Sequence, residues 1–371
     1  MKRIALVHDF LYTYGGAERV LHALHTLYPD APIYTAFAKP SVAEKHFPKA
    51  KIITSSLQKS PFRHFTLGIA SRMPQAIEEF SFNEFDIVIS SSGAFSHGII
   101  TGPQTHHISY CHSPMRYAWD WHSEFLAERG FNSAKLSGYL AESLLISNLR
   151  MWDQVSAKRV DTWLTNSQTV ASRIKKFYHQ EAQIVYPPID TDYFDPTKIT
   201  VSKAEPFLFV ASRLSATKHV DWAIEAAAKT GMSLKIAGEG KERVTLEKMA
   251  QILKADIEFL GFVSEADKRD LLGTASAFIF PVEDDFGMAP VEALAMGTPV
   301  IAFGKGGATE TVQHGKNGLH FQEPSVESLT QAVEQFLKKG VSYSPAEIRT
   351  SSLPFSRKNF NEAIQKLVDH E

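Results

Sequence analysis

The densest chemistry in the sequence is the run Pro281-Val282-Glu283-Asp284-Asp285-Phe286-Gly287-Met288-Ala289-Pro290-Val291-Glu292. Asp284 falls on a loop after an apolar run, and Glu292 lies eight positions on, two turns into the helix that follows. Two carboxylates so spaced can grip separate parts of one extended ligand, and a sugar and a ribose suit them because a carboxylate accepts from several hydroxyls at once. The backbone N–H groups of Phe286, Gly287 and Met288 open that helix and favour an anion or an oxygen-rich group. A second set, Ser212-Arg213-Leu214-Ser215-Ala216-Thr217-Lys218, also follows a predicted strand. Departure of a nucleoside diphosphate builds negative charge on phosphate oxygens, and two fixed cations, here Arg213 and Lys218, stabilise that charge most in the transition state.

The first half of the chain carries its own cluster, Tyr110-Cys111-His112-Ser113-Pro114-Met115-Arg116-Tyr117-Ala118-Trp119-Asp120. His112, Arg116, Tyr117, Trp119 and Asp120 combine rings that stack on pyranose faces with polar tips that bind hydroxyls. His106, His107 and His112 do not make a metal set, because adjacent residues on a strand face opposite sides; no metal site is expected. Gly15-Gly16-Ala17-Glu18-Arg19 lies between a strand and a helix but is not Gly-x-Gly-x-x-Gly, so it gives little support for a dinucleotide. Gly306-Gly307-Ala308-Thr309-Glu310 and Gly261-Phe262-Val263 each follow a strand, where glycine permits close backbone approach.

The elements that must position these residues are short apolar runs alternating with longer amphipathic ones, the pattern of parallel strands joined by helical crossovers. Strands are predicted at Arg3–Val7, Ile33–Tyr34, Asp86–Ser90, Thr105–Tyr110 and Trp163–Asn166, with a helix from Gly16 to Tyr28. From Phe207 strands and helices alternate to Lys338. The predicted α/β architecture is two doubly wound domains: residues 1–190, a linker over 191–206 where breakers accumulate, and residues 207–354. Residues 355–371 have a helical pattern and are expected to pack back on the first domain.

Composition bounds the rest. A chain of 371 residues exceeds what one compact core supports. Asp and Glu number 41 against 39 Lys and Arg, so no basic field invites nucleic acid. One cysteine, Cys111, forms no internal disulfide and fits the cytoplasm. The opening apolar run is too short for a signal peptide, and no run reaches the ~18 apolar residues of a spanning helix. The stretch Lys59–Pro74 interleaves cations with apolar residues and fits either peripheral contact with a membrane surface or a half-buried helix.

On these motifs the sequence resembles glycosyltransferase family 4, with the GT-B fold: two Rossmann-like domains facing across a cleft. The acidic pair resembles the family's Glu-x7-Glu, followed here by Ala293-Leu294-Ala295-Met296-Gly297-Thr298-Pro299-Val300, with Asp284 where Glu is usual and Glu283 beside it as an alternative first acid. The resemblance implies that the first acid holds the donor sugar and Glu292 the ribose; that Arg213 and Lys218 meet the diphosphate; and that Gly261, Phe262 and Val263 meet the base. It also implies that Gly15 and Gly16 lie by the reacting sugar and that His112 contacts it. The His112–Asp120 stretch is similar to bacterial enzymes of O-antigen and capsule assembly, several of them mannosyltransferases, which narrows the donor towards GDP-mannose. The implied function is retaining transfer from a nucleotide sugar to a glycan acceptor, lipid-linked or free, with no cofactor and no metal. A nucleotide-sugar epimerase of the same fold and a catalytically silent sugar-nucleotide binder remain alternatives.

Overall fold

The computed structural model describes residues 2–59, 66–123, 136–201 and 205–371. It contains two compact units, Met1–Pro188 with Phe360–Glu371, and Ile189–Asn359.

The first unit is built on a parallel sheet of β1 (Ile4–His8), β2 (Ile33–Thr35), β3 (Ile52–Thr54), β4 (Ile87–Ser92), β5 (His106–Cys111), β6 (Thr162–Thr165) and β7 (Gln183–Ile184), with α1 (Gly16–Leu27), α2 (Pro40–His46), α3 (Thr66–Glu78), α4 (Leu136–Ser156) and α5 (Gln168–Tyr178). Strand order is β3-β2-β1-β4-β5-β6-β7, so the winding reverses between β1 and β4. All six residues of β4 are buried, as expected of a central strand covered on both faces. Of the basic, aromatic stretch at Lys59–Pro74, residues 60–65 lie outside the described residues, and the chain from Thr66 forms α3.

The second unit has a parallel sheet of β8 (Phe207–Ala211), β9 (Ser233–Ala237), β10 (Ile257–Gly261), β11 (Ala277–Phe280), β12 (Val300–Phe303) and β13 (Gly318–Phe321) in the order β10-β9-β8-β11-β12-β13. Its helices are α6 (Val220–Thr230), α7 (Arg243–Leu253), α8 (Glu265–Thr274), α9 (Met288–Ala295), α10 (Ala308–Thr311), α11 (Val326–Lys339) and α12 (Pro345–Ser352). The winding reverses between β8 and β11, and in open parallel sheets ligands bind outside the carboxyl ends of strands at such a reversal.

Residues 191–206, expected as a linker, belong to the second unit. Phe194 is fully buried among Phe207, Phe209 and Met296. Arg349 donates to the carbonyls of Phe194 at 2.7 Å and Thr191 at 3.1 Å and pairs with Asp195 at 2.7 Å. The final helix, α13 (Arg357–His370), begins in the second unit, and from Phe360 onward it belongs to the first. Phe360, Ile364 and Val368 recur every fourth residue and are buried with Leu6, Ile87 and Tyr110. Each such side chain contributes roughly 1.5–3 kcal/mol by leaving water.

Candidate active site

In the second unit the carboxyl ends of β8 and β11 open into one cavity of about 140 Å³, lined by Arg213, Lys218, Asp284, Gly287 and Met288 among others. Residues far apart in sequence meet here because β8 and β11 pair directly. Lys218 Nζ lies 3.2 Å from Asp284 Oδ2, and the backbone N–H of Asp285 donates to Asp284 Oδ1 at 2.9 Å. The N-cap of α9 is Gly287, whose φ of +82° suits glycine. The cavity thus presents two cations, one carboxylate and a helix N-terminus, a combination suited to a phosphorylated sugar. Glu283 is exposed and is not among the residues that line the cavity, whereas Asp284 is.

Glycines hold these loops. A Cβ on Gly307 would fall 2.3 Å from the Phe286 Cα, and one on Gly306 2.4 Å from the Asp284 carbonyl oxygen. The Gly307 N–H donates to that carbonyl at 2.9 Å. A Cβ on Gly238 or Gly240 would fall 1.8 Å or 2.0 Å from the carbonyl oxygens of Ser212 and Leu214. The Gly238-Glu239-Gly240 turn after β9 thus braces the Arg213 loop. Its sequence signal, two glycines after a strand, was there to be read, yet the sequence reading missed it.

Glu292 does not line the cavity. Its side chain is 2% exposed, and Lys268 Nζ of α8 sits 3.1 Å from its Oε2 while also pairing with Glu265 at 3.0 Å. The same ammonium lies 5.1 Å from the centre of the Phe194 ring. Lys268 is a second residue the sequence reading missed, because a lysine on an amphipathic helix reads as a solvated edge. Gly261, with φ +67°, accepts at its carbonyl from the Gly238 N–H at 2.7 Å, and the Phe262 side chain that follows it is exposed. Val263 packs on the core. Glu310 lies on the short helix α10.

In the first unit the ends of β1, β4 and β5 bring His8, Ser91 and His112 together. Ser91 Oγ is 2.8 Å from His112 Nε2 and 3.2 Å from His8 Nδ1. Burial first, and then the neighbouring His8, hold His112 down at about 4, so its ring is neutral near pH 7. Gly15 and Gly16 are exposed at the start of α1, where the Gly15 N–H donates to Glu18 at 2.7 Å. Trp119 is not available to stack on a sugar, contrary to expectation. Its ring lies on Phe177 at 4.9 Å and its N–H donates to the buried Asp153 at 2.7 Å. Tyr117 packs against the core, and Asp120 pairs with Arg173 at 2.8 Å and Arg116 at 3.7 Å. Trp119 and Asp120 therefore knit the segment after β5 to α4 and α5.

Two family models match consecutive parts of the chain: "Glycosyltransferase Family 4" over residues 14–193 and "Glycosyl transferases group 1" over residues 194–350. Among curated relatives, the chain is 28% identical over 218 residues to human alpha-1,3/1,6-mannosyltransferase ALG2, covering 50% of this chain and 52% of that protein. It is 30% identical over 196 residues to the GDP-mannose-dependent alpha-(1-6)-phosphatidylinositol monomannoside mannosyltransferase of Mycobacterium tuberculosis, covering 46% and 51%. The chain thus spans about half the length of these relatives. Among solved structures it is similar to sucrose-phosphate synthase of Thermosynechococcus elongatus (TM-score 0.76, 15% identity, 100% of this chain and 99% of that one). It is also similar to HepE of Anabaena in complex with UDP (TM-score 0.71, 18% identity, 100% of both chains). At these identities the likeness concerns the fold, which is GT-B. With the two family models together accounting for residues 14–350, the chain belongs to glycosyltransferase family 4.

Proposed function

We propose that this glycosyltransferase moves a hexose, mannose from GDP-mannose by preference, onto a glycan acceptor carried on a polyprenyl lipid, with retention of anomeric configuration. The observation that carries the reading is the single cavity in which Arg213, Lys218, Asp284 and the start of α9 meet. Arg213 and Lys218 stabilise the departing diphosphate, whose charge grows as the bond from the anomeric carbon to the phosphate oxygen breaks. Asp284 takes hydroxyls of the donor sugar, and the N–H groups of Phe286, Gly287 and Met288 take its oxygens. Glu292 takes the ribose once Lys268 yields, and Gly261, Phe262 and Val263 meet the base. In the first unit, His112 and the Gly15–Gly16 loop are the residues proposed to meet a sugar.

The acceptor oxygen bonds to the anomeric carbon on the face the diphosphate leaves, and the acceptor proton passes to a phosphate oxygen. The two cations and the helix N-terminus supply what a metal would, so turnover is proposed to need none. The choice of mannose is supported by the segment from His112 to Asp120 and by the printed activities of the two curated relatives. Among the described residues no helix is long and apolar enough to cross a membrane. A lipid-linked acceptor would bring the enzyme to the inner face of the cell membrane, in cell-surface polysaccharide synthesis.

The test is Arg213→Ala and Lys218→Ala. Each should lower kcat on the order of 10²–10³-fold with a smaller effect on donor affinity, since the charge they stabilise is largest in the transition state. Near-wild-type turnover in both variants would remove these cations from the mechanism.

A further inference from the structure

The hydrogen bonds around His112 fix more than its position. His8 Nδ1 lies 3.0 Å from the Ser91 carbonyl oxygen, which can only accept, so His8 Nδ1 carries a hydrogen. That N–H also points to Ser91 Oγ at 3.2 Å, where the hydroxyl oxygen must therefore act as acceptor. The hydroxyl's own hydrogen is left for His112 Nε2 at 2.8 Å. A nitrogen that accepts carries no proton, so in the neutral ring the proton resides on Nδ1. That nitrogen has no hydrogen-bond partner among the described residues.

We infer that Ser91 and His8 are positioning residues that lock His112 in the Nδ1–H tautomer, so that it offers an N–H donor to an oxygen of the sugar being transferred. The functional half of this inference rests on the transferase reading; the tautomer rests on geometry alone. Every member of the chain is fixed by the fold. His8 ends β1, Ser91 lies on β4, and His112 follows β5. The registers pair His8 with Ser91 and Ser91 with Tyr110. Behind them Glu18 Oε1 lies 3.7 Å from His8 Nε2. Burial raises the Glu18 carboxyl, but its pairing with His8 and the Gly15 amide outweigh burial and hold it below its usual value. Glu18 therefore keeps a negative charge facing His8 and keeps the His8 ring turned so that Nδ1 meets Ser91. A wrong tautomer at His112 would turn a lone pair, not a hydrogen, towards a hydroxyl oxygen, and such errors of tautomer are costly wherever a ring must donate.

The experiment uses the full chain labelled with ¹⁵N-histidine and observed by long-range ¹H–¹⁵N correlation near pH 7.5, without substrate, with the His112 signals identified by their loss in His112→Gln. Wild type should show one locked pattern with the proton on Nδ1. Ser91→Ala should mix the two tautomers and lower acceptor-dependent turnover roughly ten-fold, the worth of one hydrogen bond, and Ser91→Thr, which keeps the hydroxyl, should restore the pattern. A proton on Nε2 in wild type overturns the inference without any variant needing to fold. An unchanged pattern or unchanged turnover in a folded Ser91→Ala overturns the positioning role. A locked Nδ1–H pattern in a chain that transfers no sugar would instead count against the function proposed above, so the two failures are separable.

Discussion

Lys268→Met offers a quantitative test of how the Glu292 carboxylate is held. The side chain of Glu292 is 2% exposed and that of Lys268 14% exposed, with 3.1 Å between Nζ and Oε2. At an effective dielectric of about 20 the attraction at this distance is roughly 5 kcal/mol, part of which is offset by what each charge loses on leaving water. Removing one partner of such a pair strands the other, at a cost of about 3–5 kcal/mol. The second partner, Glu265, is 63% exposed and adds little. Methionine keeps the volume and the contact with Phe194, so the loss isolates the charge, and about 2–4 kcal/mol is expected once the carboxylate's remaining contacts and partial solvation are allowed for. With a urea slope of about 2–3 kcal/mol/M the midpoint should fall by roughly 1 M. The double variant Lys268→Met, Glu292→Gln carries no stranded charge and should recover most of that shift. A midpoint unchanged in the single variant, or equally low in the double, would refute the buried-pair argument.

Two further outcomes are expected. His107 is fully buried and pushed down to about 3, by burial first and then by His97, and His112 is held at about 4; unfolded histidine titrates near 6.5. Between those values the unfolded chain binds more protons than the folded one, so stability present above about pH 6.5 is lost as pH falls towards 4, by a few kcal/mol. His107→Gln should flatten the melting-temperature profile of the protein over that window, and an unchanged slope would show that His107 is not responsible. Gly240→Ala places a methyl about 2.0 Å from the Leu214 carbonyl oxygen and must displace the Arg213 loop, so it should weaken nucleoside diphosphate binding, measured calorimetrically, by at least ten-fold; unaltered affinity would show that the loop does not need this brace.

Much of this was legible in the sequence because parallel strands buried on both faces announce themselves as apolar runs. β1, β2, β5 and β6 stand within a residue of their predicted limits, and Arg213, Lys218 and Asp284 fall where ends of strands were predicted. What escaped notice depended on partners distant in sequence. The edge strands β3 and β7 have three and two residues, too few to show a period. Residues 191–206 read as a linker by their breakers, yet Arg349, more than 150 positions on, ties them to the second unit. Trp119 read as a sugar platform because its type and neighbours suit one; only the fold shows that Asp153 and Phe177 claim both its polar and its flat faces. Glu292 was read by its spacing and by the family resemblance, and neither speaks of the lysine on α8 that covers it.

The central claim is transfer of sugar to an acceptor, and one measurement addresses it most directly: incubation of the protein with labelled GDP-mannose, and in parallel with UDP-glucose, with and without a polyprenyl-linked glycan, followed by separation of lipid-linked from free label. Labelled lipid-linked product is expected that requires the acceptor, forms fastest from GDP-mannose, survives EDTA and disappears in Arg213→Ala. Label that stays on the nucleotide, whether epimerised without acceptor or bound and unchanged, would contradict it.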